Sequence, residues 1–403
     1  MRKKVNAQDL QVGMHLHELC GSWMDHPFWR SQFTLTHPEQ IRSILQSGIT
    51  EVWIDISKGL DVPKRTEAPE KSVTEVQIKG ESAQHGKAPK LTSMSEELAR
   101  AALICKEGKQ AVVSMFREVR MGKIISTEGM GELVEEITQS VLRNPGALIS
   151  LARLKTSDDY TYMHSVAVCA LMASLARQLG LNELEIREAG MAGLLHDLGK
   201  AVMPMDVLNK PGKLTDDEFR IIKSHPVEGH RLLLEGKNTS EIVLDVCLHH
   251  HEKVDGSGYP NKLAGDQISL YAKMGAVCDV YDAITSNRPY RKGWDPAESI
   301  QKMSQWSTGH FDEHVFQAFV KSVGIYPVGS LVKLSSGRLA VVLEQSEKSL
   351  LTPRIKVFFS TKSQTYIVPE VLDLSHPGVL ERIVGREDAT MWGISNIDAL
   401  LTN

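Results

Sequence analysis

The sequence predicts a mainly α protein: a helical-bundle domain flanked by a small α+β N-terminal domain and a small β-rich C-terminal appendage. Three observations lead there. From Ser95 to about residue 322, apolar residues recur at three- and four-residue spacing, as in Leu133, Ile137 and Val141, which is the repeat of amphipathic helices. After Tyr326-Pro327 the pattern changes to alternation, in Ser330 to Leu343, Arg354 to Phe359 and Gln364 to Val368, with turn residues at Ser335-Ser336-Gly337 and Thr352-Pro353. Before Val62 the chain is short-looped, with turns at Gly13, Gly21, Pro27 and Gly48, an aromatic cluster of Trp23, Phe28, Trp29 and Phe33, and a strand-like Thr50 to Ile54.

These changes of pattern set the expected organisation. Residues 1–62 form a mixed N-terminal module. Residues 63–92, rich in Lys, Glu, Ser, Gln, Pro and Gly and poor in apolar residues, read as a flexible linker. Residues 93–144 read as connecting helices, 145–325 as the main helical domain, and 326–403 as the β-rich unit. The 46 basic residues against 50 acidic ones leave no positive excess to neutralise a polyphosphate backbone, which argues against a binder of long nucleic acid. No run of 18 apolar residues is present and none follows the basic Met1 to Lys4, so neither membrane insertion nor export is expected. Five cysteines without a Cys-x-x-Cys pair point to reduced thiols in the cytoplasm, with Cys169, Cys247 and Cys278 read as small buried hydrophobes on helix faces.

The helical domain carries His164, His196-Asp197, His225, His250-His251 and Asp279, separated by 32, 28, 25 and 28 residues. Each interval fits one helix and its connection, so successive helices can project one ligand each into a bundle interior. His196-Asp197 closes the apolar run Met191 to Leu195, which places the pair deep, where a carboxylate needs a partner. Histidines such as His15, His26, His310 and His376 lie outside this pattern and read as ordinary core or surface residues. Imidazoles with a few carboxylates suit Fe or Mn, with Ni or Zn as alternatives, better than Mg or Ca. Seven ligands exceed the needs of one ion. With Asp197 bridging, one ion takes His164, His196, Asp197 and Asp279, and a second takes Asp197, His225, His250 and His251. Such a pair would hold a hydroxide between its ions and favour hydrolysis at phosphorus.

Directly after the second histidine pair, Glu252 to Pro260 reads as a tight turn, its Asp255-Gly256-Ser257-Gly258 segment able to approach a ligand closely and place Tyr259 as a wall. The motifs His196-Asp197-Leu198-Gly199-Lys200, His250-His251-Glu252, Asp255-Gly256-Ser257-Gly258-Tyr259-Pro260, Asp279-Val280-Tyr281-Asp282-Ala283 and Arg288-Pro289-Tyr290-Arg291 resemble, in this order, the HD-GYP subgroup of the HD phosphohydrolases. The likeness covers about residues 145 to 325. The segment around His26 to Arg30 is similar to a module of undefined role that often precedes this domain. The resemblance implies a phosphodiesterase that opens cyclic di-GMP to linear pGpG and can carry it on to GMP. It also implies metal binding by His164, His196, Asp197, His225, His250, His251 and Asp279, with Asp197 and Lys200 in catalysis. Contacts to substrate would come from Lys200, Tyr259, Asp282, Arg288 and Arg291. Asp282, three residues after Asp279, could orient a water or Lys200, or support the site from behind.

One position departs from the pattern. Family members with three metals look to have a glutamate four residues before the first histidine, where this chain has Tyr160, so a two-metal centre is expected and the second hydrolytic step is the one in doubt. Two rival readings stand beside cyclic di-GMP hydrolysis: a catalytically silent cyclic-dinucleotide receptor, and a phosphodiesterase for cyclic GMP-AMP. A broken ligand set would mark the first, and all seven ligands are present. Base-contacting groups would mark the second, and they are not readable from the sequence. The terminal domains suggest regulation, docking to protein partners or self-association.

Overall fold

In the computed structural model, residues 2–19, 33–36, 38–46, 51–60, 92–124, 128–153, 160–210, 212–236, 238–286, 293–346, 349–394, 397 and 399–402 are described. The chain divides into two units, Met1–Ala88 and Pro89–Asn403. Trp23, Phe28 and Trp29 lie outside the described residues.

The first unit holds strands β1 (Arg2–Asn6), β2 (His15–Leu19), β3 (Phe33–Thr34) and β4 (Glu51–Asp55), with helix α1 (Pro38–Gln46). The strands form one antiparallel sheet in the order β1-β4-β2-β3. Alternation along β4 buries Val52 and Ile54, which meet Val5, Leu16, Leu35 and Ile44 in one apolar cluster. Gly13, at φ +98°, lets its N–H reach Leu35 O at 2.7 Å while its own carbonyl accepts from Leu60 at 2.9 Å, a turn that favours glycine.

The second unit begins with α2 (Met94–Arg120), α3 (Glu128–Arg143), α4 (Pro145–Arg153), α5 (Tyr160–Gln178) and α6 (Glu183–Leu195). It continues through α7 (Met205–Leu208), α8 (Asp216–Ile222), α9 (His225–Glu235), α10 (Glu241–His249), α11 (Leu270–Thr285), α12 (Pro296–His310) and α13 (Glu313–Val323). Helix starts follow the sequence chemistry: Ser93, Asn182 and Thr215 close capping boxes with Glu96, Glu185 and Glu218. Every described residue of α5 from Met163 to Ala176 is buried, so this apolar-all-round helix is the axis of the bundle, with α4, α6 and α11 packed around it. The segments read above as connectors, α2 and α3, also pack against α5, α2 touching α4 and α3 touching α6 as well.

Glu97 of α2 and Arg143 at the end of α3 fasten that packing. Arg143 Nε donates to Glu97 Oε2 at 2.8 Å and Nη2 to Oε1 at 2.7 Å, and the Glu97 side chain is fully buried. Burial alone would raise the carboxyl pKa, but the guanidinium outweighs it and the pKa falls below its ordinary value. A lowered folded pKa contributes stability that is full above the unfolded pKa and disappears as pH falls through the folded value. Glu97→Gln is therefore expected to cost about 3 kcal/mol at pH 7, because it breaks a buried pair from one side. Urea unfolding of both proteins should show that difference shrinking once the pH drops below the ordinary glutamate range.

The C-terminal part is an antiparallel sheet of β5 (Leu331–Leu334), β6 (Arg338–Glu344), β7 (Arg354–Ser360), β8 (Thr365–Asp373) and β9 (Ile383–Arg386), in the order β8-β7-β6-β5-β9. Alternate residues bury both of its faces. Val332, Ala340, Val342, Ile355 and Val357 lie on one, and Leu331, Leu339, Val341 and Phe359 on the other, covered by Trp392 and by α14 (Ala399–Thr402). Strand β9 and helix α14 are additions to the sequence-based expectation.

Candidate metal centre

Five helices aim their ligands at one buried point. His164 comes from the first turns of α5, and His196 caps the C-terminus of α6, with Asp197 next to it. His225 opens α9, His250 caps α10 with His251 following, and Asp279 lies in α11. His164, His196, Asp197, His225, His250 and Asp279 are buried and His251 is partly exposed. Asp197 sits between two imidazole sets. Its Oδ2 faces His164 Nε2 at 3.4 Å and His196 Nε2 at 3.4 Å, while its Oδ1 faces His225 Nε2 at 3.2 Å and His250 Nε2 at 3.8 Å. Asp279 closes the first set at 3.0 Å from His164 Nε2 and reaches His251 Nδ1 at 3.8 Å. Donor atoms group as His164, His196 and Asp279, as His225, His250 and His251, and as a connecting set of His196, Asp197 and His250.

The imidazoles are oriented from behind. His196 Nδ1 donates to Gly193 O at 2.8 Å, His225 Nδ1 to Ile222 O at 2.7 Å, and His250 Nδ1 to the carbonyls of Val246 and Cys247 at 3.0 and 3.1 Å. Each proton is thus held on the outer nitrogen, and each Nε2 turns its lone pair inward. His225 Nε2 and His250 Nε2 consequently face each other at 3.3 Å, an arrangement that two acceptors cannot satisfy and a cation can. His196 Nε2 and Asp197 Oδ1 are buried without a hydrogen-bond partner. Two orphaned acceptors in one pocket, with nitrogen and carboxylate donors around them, fit divalent metal ions.

Electrostatics in the protein alone point the same way. Burial, with the neighbouring His251, His196 and His225, pushes His250 well below its ordinary value, and burial brings His251 down to about 3, so both are neutral ligands at pH 7. For His164, burial acts downward but is outweighed by Asp197, Asp279 and Asp282, which raise it to about 10. Burial opposes ionisation of Asp197 and Asp279 as well. Lys200 and His196 overcome it at Asp197, and His164 and His251 at Asp279, leaving both carboxylates well below the ordinary range.

The remaining expected residues fall in three places. Lys200 lies one turn after Asp197 in a 3-10 segment, Leu198–Val202, and its ammonium makes a close ion pair with Asp197 Oδ2. That segment presses on α9 so tightly that a Cβ on Gly199 would stand 1.8 Å from His225 O, which is why a glycine follows His196-Asp197-Leu198. Tyr259 stacks its ring on His251, centroids 4.7 Å apart and tilted 30°, at the open side of the cluster. Burial, with Asp279 and Asp197 nearby, pushes its phenol up, so it stays a neutral wall. Asp282, weighed above as a substrate contact, is instead buried behind His164, where it accepts from Nδ1 at 2.6 Å and from Ser286 Oγ at 3.3 Å. It positions an imidazole. Asp282→Asn is accordingly expected to weaken metal binding about 10–100-fold, measured by competition with a chromogenic chelator. Arg288 and Arg291 lie outside the described residues, as does the side chain of Tyr160 at the start of α5.

Two further residues shape the site. Glu252, nearly fully buried, accepts from the backbone N–H of Asn261 at 2.6 Å and of Leu263 at 3.1 Å, tying the loop that bears Tyr259 to the end of α10. Gly258 lets the same loop close up, since a Cβ there would lie 2.5 Å from Glu252 Cα. Lys223, just after α8, holds its ammonium 4.9 Å from the Tyr259 ring and 4.7 Å from the Phe219 ring. Glu252 stood in its motif without a readable role, because it finds its partners in backbone groups nine and eleven residues away, and Lys223 looks like any solvated helix-end lysine.

A helical bundle that converges five imidazoles and two aspartates on one buried cluster defines a metal-dependent phosphohydrolase of the HD type. Residues 140–315 match the family model described as an HD domain, and residues 2–130 match a domain of unknown function. The chain is 55% identical over 403 residues to the cyclic di-GMP phosphodiesterase PA4108 of Pseudomonas aeruginosa, covering 100% of this chain and 96% of that one. It is 49% identical over 150 residues to the cyclic di-GMP phosphodiesterase response regulator RpfG of Xanthomonas campestris, 36% of this chain and 40% of that one. A 3′3′-cGAMP-specific phosphodiesterase of Vibrio cholerae is 34% identical over 177 residues, 44% of this chain and 41% of its own length. The chain belongs to the HD-GYP cyclic di-GMP phosphodiesterase family.

Proposed function

We propose that this protein hydrolyses cyclic di-GMP to linear pGpG, using two divalent transition ions, Fe or Mn in preference to Ni or Zn. The observation that carries the reading is Asp197, whose two oxygens each face a separate imidazole set in a chain alike over its whole length to a cyclic di-GMP phosphodiesterase. His164, His196 and Asp279 would hold one ion, His225, His250 and His251 the other, with Asp197 shared. When bound, such a pair supplies an activated water at neutral pH and stabilises the oxygens of the phosphodiester during in-line displacement.

The chain's own residues do the rest. Lys200, already held at Asp197, places a positive charge where the scissile phosphate gains negative charge, so it favours the transition state over the bound substrate. Tyr259 offers an aromatic face at the opening, and Lys223 beyond that ring adds a cation for the second phosphate of the ring-shaped dianion. Glu252 keeps this wall in place. Arg288 and Arg291 are assigned to substrate phosphates on their sequence motif alone. Tyr160, standing where a third ion would need a carboxylate, supports an ion count of two and the accumulation of pGpG ahead of GMP.

No helix among the described residues is long and apolar enough to cross a membrane. We assign the protein to the cytoplasm on the buried thiols Cys169, Cys247 and Cys278, which form no disulfide, and on the nature of the substrate. Tyr366 and Val368, exposed on the edge strand β8, are the surface we assign to protein partners or self-association. The test is incubation of Mn- or Fe-loaded protein with cyclic di-GMP and, separately, cyclic GMP-AMP, with products resolved by chromatography. Faster turnover of cyclic di-GMP with pGpG as the main product is expected. Preference for cyclic GMP-AMP would move the assignment to the other relatives' substrate, and failure to cleave either would refute it.

A further inference from the structure

A second cavity lies away from the metal ligands, where the helical bundle meets the C-terminal sheet. It encloses about 400 Å³ and is walled by α4, α5 and α11, the end of α13 and the end of β6. Sites that enclose small molecules span roughly 300–1,000 Å³, so the space suits a compact ligand. The seam around it is structured rather than loose. Asn144 Nδ2 donates to Glu344 Oε1 at 2.9 Å across the junction, and Gln345 Nε2 donates to Tyr326 O at 2.7 Å.

Two features of the lining specify the ligand. Arg143 and Arg177 both reach the cavity, but only Arg143 is neutralised, by its paired bonds to Glu97. Arg177 makes two long bonds, 3.4 and 3.3 Å, to the carbonyls of Val141 and Leu142, and among the described residues no carboxylate pairs with it. A guanidinium left with donors to spare at a pocket rim selects an anion with several acceptor oxygens, and its planar fork matches a phosphate. Beside it, the space is lined by Pro145, Ile149, Val323, Pro327 and Val328, which suit a flat ring.

We propose that this cavity binds a compact phosphate monoester carrying a flat ring, with its phosphate on Arg177 and its ring against the proline and aliphatic wall. The site shares helices with the metal centre. Tyr281 lines the cavity, while its neighbours on α11, Asp279 and Asp282, face His164, and α5 contributes both His164 and Ser174. The inference does not depend on which reaction the metal centre performs.

Isothermal titration calorimetry on the full chain, stripped of metal with chelator so that no bound ion takes up the phosphate, tests it with GMP, AMP and inorganic phosphate. Both nucleotides should bind one per chain, and inorganic phosphate about tenfold more weakly or worse. Arg177→Glu, on an exposed side chain whose loss leaves the fold intact, should weaken GMP binding at least about tenfold. Ser322→Trp, which fills the cavity from α13, should abolish it with an unchanged melting curve. Absence of GMP binding, GMP affinity indifferent to Arg177→Glu, or inorganic phosphate binding as tightly as GMP would each overturn the proposal. Should Ser322→Trp unfold, the exposed Arg177 variant decides alone.

Discussion

Asp197→Ala is expected to abolish cyclic di-GMP hydrolysis, lowering kcat by more than about 10³-fold, and to remove at least one of the two proposed ions. The reasoning is geometric. Asp197 is the group that both imidazole sets share, with Oδ2 at 3.4 Å from His164 and His196 and Oδ1 at 3.2 Å from His225. Without it, five imidazoles and Asp279 remain, too few anions to balance two divalent charges in a buried pocket. Lys200 also loses its partner and with it the orientation toward the phosphate. Metal analysis by plasma mass spectrometry and a product assay on the same preparation give the result. Full metal content with retained activity would show that another group bridges the ions.

Glu252→Ala is expected to lower kcat/KM about 10²-fold while leaving both ions bound, and to cost roughly 2–4 kcal/mol of stability. Glu252 is no ligand. Its carboxylate, almost wholly buried, takes the N–H groups of Asn261 and Leu263, so alanine leaves two part-buried donors unpaired and frees the loop that carries Tyr259. Since Tyr259 stacks on His251 and meets Lys223, the whole substrate-facing wall moves with it. Denaturant unfolding, metal analysis and steady-state kinetics separate the parts. Loss of metal in this variant would instead place Glu252 in the ion-binding shell.

The convergence of the seven candidate ligands was legible in the sequence because a bundle spreads them over five helices, singly or as adjacent pairs. Intervals of 32, 28, 25 and 28 residues are helix-plus-loop lengths, and the histidines and aspartates at those intervals are the ones that converge. What supports them was not legible. Asp282 sits three residues from Asp279, a spacing equally compatible with facing substrate, and only the packing of α11 on α5 puts it behind His164. Glu252 works through backbone groups of a loop whose closure depends on Gly258, a contact that no periodicity encodes. Strand β9, four residues of half-exposed chain, and the four-residue α14 are too short to show a period. The cavity between bundle and sheet draws on residues from Thr92 to Ser346, a juxtaposition that exists only after folding.

The outer nitrogens of His196, His225 and His250 are each tied to a carbonyl three or four residues earlier in the chain. The scaffold is thereby ready before any ion arrives: the rings take their orientation from the local backbone and need no metal to teach it to them. An ion that binds there would meet rings already turned toward it, so exchanging one divalent ion for another asks no rearrangement of the backbone that holds them.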